Sequence, residues 1–574
     1  MTASVTTLMT TPPPGRRPSG PEDRGAMSRV RGMTVGALFG VSLAGGGLLV
    51  NRSLQSGGGD VSGRRLFDDV FARVQAAYVD SLPAESLYTR AVSGLLGELH
   101  DPYSVYLTAQ RLGRFRESTS GRYAGIGIQI DVRDKRIIVL SALPGGAAEA
   151  AGVQPGDRLV KVGDRDAFGL TPEEAMQALR GAPGSSVTIA VERAGIPSPI
   201  PLTLTRRVIQ VHPVQRTAIL DGSAGYVDVR TFSDSTAEEL AHAVDSLVRA
   251  GARSIVLDLR GNPGGLLEQG VAVADLFLDP GQPIVSLAGR SPEATRRFTD
   301  RAPQRWPALP IVVLVDRSSA SAAEIVAGAL QDHDRAVVVG QTTFGKGSAQ
   351  QIFDAGPGGA VKLTTSLWFT PIGRSITRRP KLDEDGQPIV ARGGDDAAAD
   401  STTTPDSTRI PYRTDKGRTV YGGGGITPDV IVRDSAALAQ LASLQQGLGK
   451  GVTAFRDALT AQALALKASG ALSSPTFTVT PAMLAGLGAA MRARGADVSD
   501  TLVTAHAAIV SRLLGYEATR YAFGRNAEWT RRSADDLALQ RALDLLRGVA
   551  GRDALLARAA AAAKGPPIPG RERS

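Results

Sequence analysis

Residues 310–330 read PIVVLVDRSSASAAEIVAGAL, and the change of residue type along this stretch decides the architecture around it. Pro310 to Asp316 is a short, β-branched, wholly apolar run closed by a charge, the pattern of a strand buried on both faces. Small residues follow, and from Ala322 the chain takes on helical composition as far as His333. A serine in such a strand-to-helix turn can present its hydroxyl at the sheet edge. The first N–H groups of the new helix point into the same space. That suits a nucleophile and an oxyanion. Taken alone, it is equally the pattern of a serine-rich helix cap.

Outward from this stretch the same alternation repeats. AGYVDVRTF (224–232), SIVLDLR (254–260) and AVVVG (336–340) read as strands, and Ser235–Arg249 and Leu266–Leu278 as helices. Apolar strands alternating with helices predict an α/β core over 211–435, with a parallel or mixed sheet covered on both faces. Residues 378–411, rich in Asp, Thr, Pro, Gly and Ala, read as a flexible insertion, and the core resumes at TVYGGGGITPDVIV (419–432). Two strand ends carry further signals. In QTTFGKGSAQQ (341–351), Lys346 sits between two glycines that let backbone pack against it, and a lysine serves as general base only when burial lowers its pKa. Gly340, Gly345 and Lys346 also fit a phosphate loop. Gly347 stands where the magnesium-binding hydroxyl would be, which argues against a nucleotide; a surface lysine in a turn is the other alternative. In DLRGNPGG (258–265), Gly264 and Gly265 can turn their amides into an anion-binding concavity, or simply make a tight turn.

The chain has 574 residues, 42% of them hydrophobic, enough for several domains. Its formal charge is +9, but the arginines are spread along the chain and no zinc-finger or RNA-binding signature occurs, so nucleic acid is not expected as a partner. There is no cysteine, which excludes a thiol nucleophile, disulfides and a lipoprotein anchor. None of the five histidines lies in a glycine-flanked strand-end loop and no H-E-x-x-H occurs, so neither a Ser-His-Asp triad nor a zinc site is expected, and no metal or cofactor is implied. A Ser–Lys pair is a variant of the same catalytic logic.

Residues 1–32 form a basic head with Arg16, Arg17, Arg24, Arg29 and Arg31, followed by Met33–Val50, 18 residues without a charge. This predicts a signal peptide or signal-anchor that leaves the rest of the chain outside the cytoplasm, tethered to the inner membrane of a bacterial envelope. After a linker, 64–115 shows helical spacing through Leu66, Val70, Val74, Leu87, Val92, Leu95, Leu96 and Leu99, ended by Asp101-Pro102. Strand patterns fill 120–208, with a short helix at Pro172–Leu179 capped by Thr171. Residues 436–564 read as a separate helical domain for self-association or adaptor docking, and 565–574 as a polar tail.

The succession DLRGNPGG, SSASAAEIVAGALQDHDRAVVVG, TFGKGSAQ resembles the carboxyl-terminal processing peptidases, the tail-specific serine proteases. The likeness runs over roughly 64–435. It implies a multi-domain α/β protein: a mixed-sheet core like that of ClpP and the crotonases, an inserted β-rich PDZ domain, and helical N- and C-terminal regions. It places the nucleophile on Ser321, the base on Lys346, a lysine-orienting glutamine on Gln350 one helical turn beyond, and a supporting acid on Glu324. The oxyanion donors fall on the Ala322 N–H and on one of Gly264 and Gly265. Where relatives often read S-A-S-A-S-E, this chain has Ala323. Residues 120–208 resemble a PDZ domain, with Tyr123, Gly125, Ile126, Gly127 and Ile128 as the carboxylate-binding loop and AAEAAGVQPGDRLVKVGD (147–164) as its turn-and-strand signature. Arg180 matches a position that couples the PDZ domain to the active site, or is a plain surface arginine. The implied function is endoproteolysis, through an acyl-enzyme, of proteins whose C-termini the PDZ domain selects. The alternative is an inactive scaffold or binding protein of the same fold, against which the intact Ser321, Lys346 and Gln350 speak.

Overall fold

The computed structural model describes residues 62–378, 410–494 and 500–563, apart from 134, 144, 194–195 and 357. The basic head, the 33–50 segment, the 565–574 tail and nearly all of 378–411 lie outside the described residues. Among those described, no helix is long and apolar enough to cross a membrane. The chain divides into units at 1–91 and 92–574. In the first, residues 62–77 are helical and Phe71 stacks on Tyr88 with ring centroids 4.2 Å apart.

The second unit is built on a six-stranded sheet in the order Val214–Leu220, Ala224–Val229, Ser254–Asp258, Ile311–Val315, Val337–Gly340, Val430–Ile431. The first pair is antiparallel and all other neighbours are parallel. The side chains obey the two-residue period of a strand. Val227, Ile255, Leu257, Val313 and Val338 point to one face, where they bury against helices Thr236–Arg249, Leu267–Asp275 and Ala322–Asp332. Beyond those helices, Ile284, Val285 and Trp368 join the same core from an antiparallel sheet centred on the long strand Ala360–Phe369. Val105–Leu107 belongs to that second sheet and pairs with Ala360–Lys362, so the region expected to be helical over 64–115 contains a strand. Thr108 then caps a helix running to Ser120.

Tyr226, Val256, Val312, Leu314, Val337 and Val339 point to the opposite face of the first sheet. Leu539, Leu543, Leu546, Leu555, Leu556 and Ala559 of helices Leu537–Leu546 and Arg552–Ala563 cover them. The stretch expected to form one helical domain over 436–564 thus divides. Helices Ser435–Leu448, Val452–Ala468, Pro481–Arg492 and Ala507–Phe523 make their own apolar cluster, whereas the last two helices complete the core. The apolar residues of these last two helices are thus spent on the sheet.

Between Gly125 and Arg207 lies a β-rich module with a separate core that includes Ile137, Val139, Leu159, Ile189 and Val191. Its antiparallel strands run in the order Ile128–Arg133, Arg136–Ala142, Arg158–Val162, Ser186–Glu192, Ile200–Thr205. Arg122–Gly125 pairs with Arg207–Gln210, bringing chain entrance and exit together as an inserted module requires. Helix Pro172–Leu179 begins in a full capping box between Thr171 and Glu174. The C-terminal helices touch this module as well: Arg520 donates to Leu140 O at 3.1 Å and Arg525 to Gln129 Oε1 at 2.9 Å.

Candidate active site

The three loops singled out in the sequence leave the carboxyl ends of three adjacent parallel strands, Ser254–Asp258, Ile311–Val315 and Val337–Gly340, where open α/β sheets gather their functional groups. Asp316 and Asn262 lock the first two together. Asp316 Oδ1 accepts the N–H of Ser318 at 2.9 Å and those of Ser319 and Gly261 at 3.0 Å. Asn262, wholly buried, donates Nδ2 to Val229 O at 2.8 Å, and its main-chain carbonyl accepts the Ala320 N–H at 2.9 Å.

Ser321 stands directly before helix Ala322–Asp332 with φ +54°, a conformation that a non-glycine residue adopts only when its surroundings hold it there. Gly264 packs against it so closely that a Cβ on Gly264 (φ +91°) would lie 2.8 Å from Ser321 Cβ and 2.6 Å from Ala320 O. The two glycine amides differ in their partners. The Gly264 N–H is spent on Asn262 Oδ1 at 2.8 Å, whereas the N–H groups of Gly265 and Ala322 have no partner among the described residues.

Glu324 joins the Ser321 turn to the Lys346 loop. Its fully buried carboxylate accepts the Ser321 N–H at 2.8 Å, Thr343 Oγ1–H at 2.5 Å, and the N–H groups of Gly345 and Lys346 at 2.7 and 2.9 Å. Burial pushes this carboxyl upward, and the four donors oppose the rise by favouring the anion. The Lys346 main chain is held on its other side too, its carbonyl accepting Trp368 Nε1–H at 3.0 Å. The Lys346 ammonium is lowered to about 8, first by burial and then by the neighbouring Lys362, with Glu324 and Asp101 pulling the other way. Its Nζ lies 4.7 Å from the ring centroid of Tyr103 and makes no hydrogen bond with Ser321 Oγ.

Gln350 departs from expectation. Gly347 ends the loop, and Ser348–Asp354 pairs with Ala360–Phe369 as a strand, so Gln350 is not one helical turn beyond Lys346. Its Nε2 donates to Ser348 Oγ at 3.0 Å and Thr364 Oγ1 at 3.1 Å. Tyr103, Asp101 and Lys362, which surround the lysine, escaped the sequence reading. Asp101-Pro102 registered there only as a helix stop.

In the inserted module, Tyr123 and Gly125 are strand residues paired with Arg207–Gln210, so the loop proper is Ile126 and Gly127, the latter at φ +76°. Ile128 opens the edge strand, beside which helix Pro172–Leu179 packs. Arg180, just past that helix, pairs with Glu117 and lies over the Tyr123 ring, 5.0 Å from its centroid, which ties the module to helix Ala109–Ser120. A cavity of about 320 Å³ lies elsewhere, lined by Arg230, Arg260 and Trp529, and it includes neither Ser321 nor Lys346.

The sequence matches the profile of Peptidase family S41 over residues 223–385 and that of a PDZ domain over 138–193. It is 38% identical over 314 residues to a carboxy-terminal-processing protease of Bartonella bacilliformis, covering 54% of this chain and 71% of that protein. It is 35% identical over 309 residues to the carboxy-terminal processing protease CtpA of Bacillus subtilis, covering 54% of this chain and 66% of that one. Among solved structures, a photosystem II D1 C-terminal processing protease is 31% identical, with 56% of this chain and 95% of that chain covered and a TM-score of 0.32.

Proposed function

Because the chain belongs to the carboxy-terminal processing proteases of peptidase family S41, we propose that it is a serine endopeptidase that selects substrates by their C-termini and cuts them with Ser321 and Lys346. The observation that carries this reading is the Glu324 carboxylate, which takes hydrogen bonds from the backbone of both residues and so holds the two loops in one frame. Neutral Lys346 takes the proton of Ser321 as Oγ attacks the scissile carbonyl. The Gly265 and Ala322 N–H groups receive the oxyanion. The C–N bond then breaks, the leaving amine takes the proton from Lys346, and water releases the acyl group with the lysine again as base. The substrate tail adds as a strand along Ile128–Arg133, with its carboxylate at the Ile126–Gly127 loop. The working site lies outside the cytoplasm, on the strength of the arginines that precede the apolar 33–50 segment.

The test is the pH profile of kcat/KM on one peptide made with a free and with an amidated C-terminus. A lysine base near 8 loses about tenfold in rate per unit below that pH, so kcat/KM rises from pH 6 and levels above about 8. Amidation, which removes a charge-assisted hydrogen bond, lowers kcat/KM about tenfold or more. An acid limb near 6.5 that vanishes in His333→Gln overturns the lysine base. Histidine 333 is already engaged with Asp415 and with Pro283 O, each at 2.7 Å. Equal rates on the two peptides overturn C-terminal selection.

Gly264 offers an independent check. An added methyl group must displace Ser321 or Ala320, so Gly264→Ala is expected to lower kcat about a hundredfold with little change in KM, the scale of a lost oxyanion donor. Steady-state kinetics on protein shown by melting to be folded measures it. Wild-type kcat would mean that the 264–265 turn does not abut the nucleophile.

A further inference from the structure

The turn Asp101–Ser104 is a rigid platform. Asp101 Oδ1 accepts the Tyr103 N–H at 3.1 Å, Asp101 Oδ2 accepts Ser104 Oγ–H at 2.5 Å, and Ser104 Oγ accepts the Thr364 N–H at 3.0 Å. The strand that follows is paired to Ala360–Lys362. Tyr103 is therefore fixed against the sheet on which Lys362 and Thr364 lie, and its half-buried ring faces Lys346 Nζ at 4.7 Å. The main chain of Lys346 is pinned by Glu324 on one side and Trp368 on the other, so only the side-chain torsions of the lysine are left to place its nitrogen.

An aromatic face attracts an ammonium and has no comparable attraction for a neutral amine. The contact thus favours the protonation state of Lys346 that cannot accept a proton, at a position from which it makes no hydrogen bond to Ser321. We propose that Tyr103 is a positioning residue that holds Lys346 as the ammonium, away from Ser321, so that turnover requires the lysine to leave the ring. This rests on the reading of Lys346 as the base. The other charged groups facing the ammonium are Lys362 from the second sheet, Asp101 from the platform and Glu324 from the helix; the first favours the neutral form and the two carboxylates the charged one.

The experiment compares wild type, Tyr103→Phe and Tyr103→Leu by two readouts on the full chain: the pH midpoint of Lys346 acetylation in competitive labelling, and the acid limb of kcat/KM. Phenylalanine keeps the ring face; leucine keeps apolar cover without it. Both midpoints are expected to stay near the wild-type value in Tyr103→Phe and to fall by about half to one pH unit in Tyr103→Leu, with kcat/KM at pH 7 rising about three- to fivefold. Tyr103→Met gives the same comparison at similar volume if the leucine variant melts early. Midpoints unchanged or raised in Tyr103→Leu, or shifted equally in Tyr103→Phe, overturn the role of the ring. If instead the labelling midpoint and the acid limb disagree in the wild type itself, Lys346 is not the base, and it is the underlying reading that fails.

Discussion

Ser321→Ala and Lys346→Ala are each expected to lower kcat/KM by about four orders of magnitude or more, and the double variant to be little worse than either single one. In the proposed mechanism the two residues form one proton-transfer unit: without the hydroxyl there is nothing to deprotonate, and without the amine the hydroxyl stays protonated and unreactive. Neither change should cost much stability. The hydrogen bonds that organise the site run through the backbone N–H groups of 321 and 346 to Glu324, and these survive loss of the side chains. Hydrolysis of a fluorogenic peptide, alongside a thermal melt, measures both halves. Activity within about tenfold of wild type in either folded variant would remove that residue from the dyad, and additive losses in the double variant would mean that the two act separately.

The second large effect concerns the far end of the chain. Ending the protein at Ser435 strips helices Leu537–Leu546 and Arg552–Ala563 from the sheet and exposes Tyr226, Val256, Val312, Leu314, Val337 and Val339, all at most 2% exposed in the whole chain. An apolar patch of that kind on a central sheet is not tolerated by a soluble fold. The shortened chain is expected to aggregate or lose cooperative unfolding, although Ser321 and Lys346 are both present. A graded version is Leu543→Ala, for which burial against the sheet sets a cost of about 2–4 kcal/mol. Circular dichroism melts of both proteins decide. A truncated chain that unfolds cooperatively at the full-length temperature would show the two helices to be dispensable.

The strand-turn-helix order around Ser321, the alternation of the core and the β-rich insertion were legible because each is a local pattern whose period matches its structure. What was illegible depended on partners distant in sequence. The resemblance put Gln350 one helical turn beyond Lys346, but the pairing of Ser348–Asp354 with Ala360–Phe369 makes those positions extended, which no local pattern announced. Gly264 and Gly265 could not be told apart without Asn262, whose side chain consumes one of the two amides. Tyr103 sits 243 positions before the lysine it faces, in a turn whose only local signal was a proline. The last two helices carry the Ala- and Leu-rich composition of a free-standing bundle, and composition alone does not say that the surface they cover is a sheet laid down far earlier.

That cover has a consequence for the order in which the protein comes into being. Ser321 and its strand are synthesised some 216 residues before Leu537, the first residue of the helix that seals the sheet's outer face. At about 5–20 residues per second this is an interval of roughly ten to forty seconds. Throughout it the nascent chain holds Ser321 and Lys346 on an unfinished scaffold. The sheet is closed only when these helices emerge, and a ribosome that stalls before them leaves Ser321 in place on a sheet with one bare side.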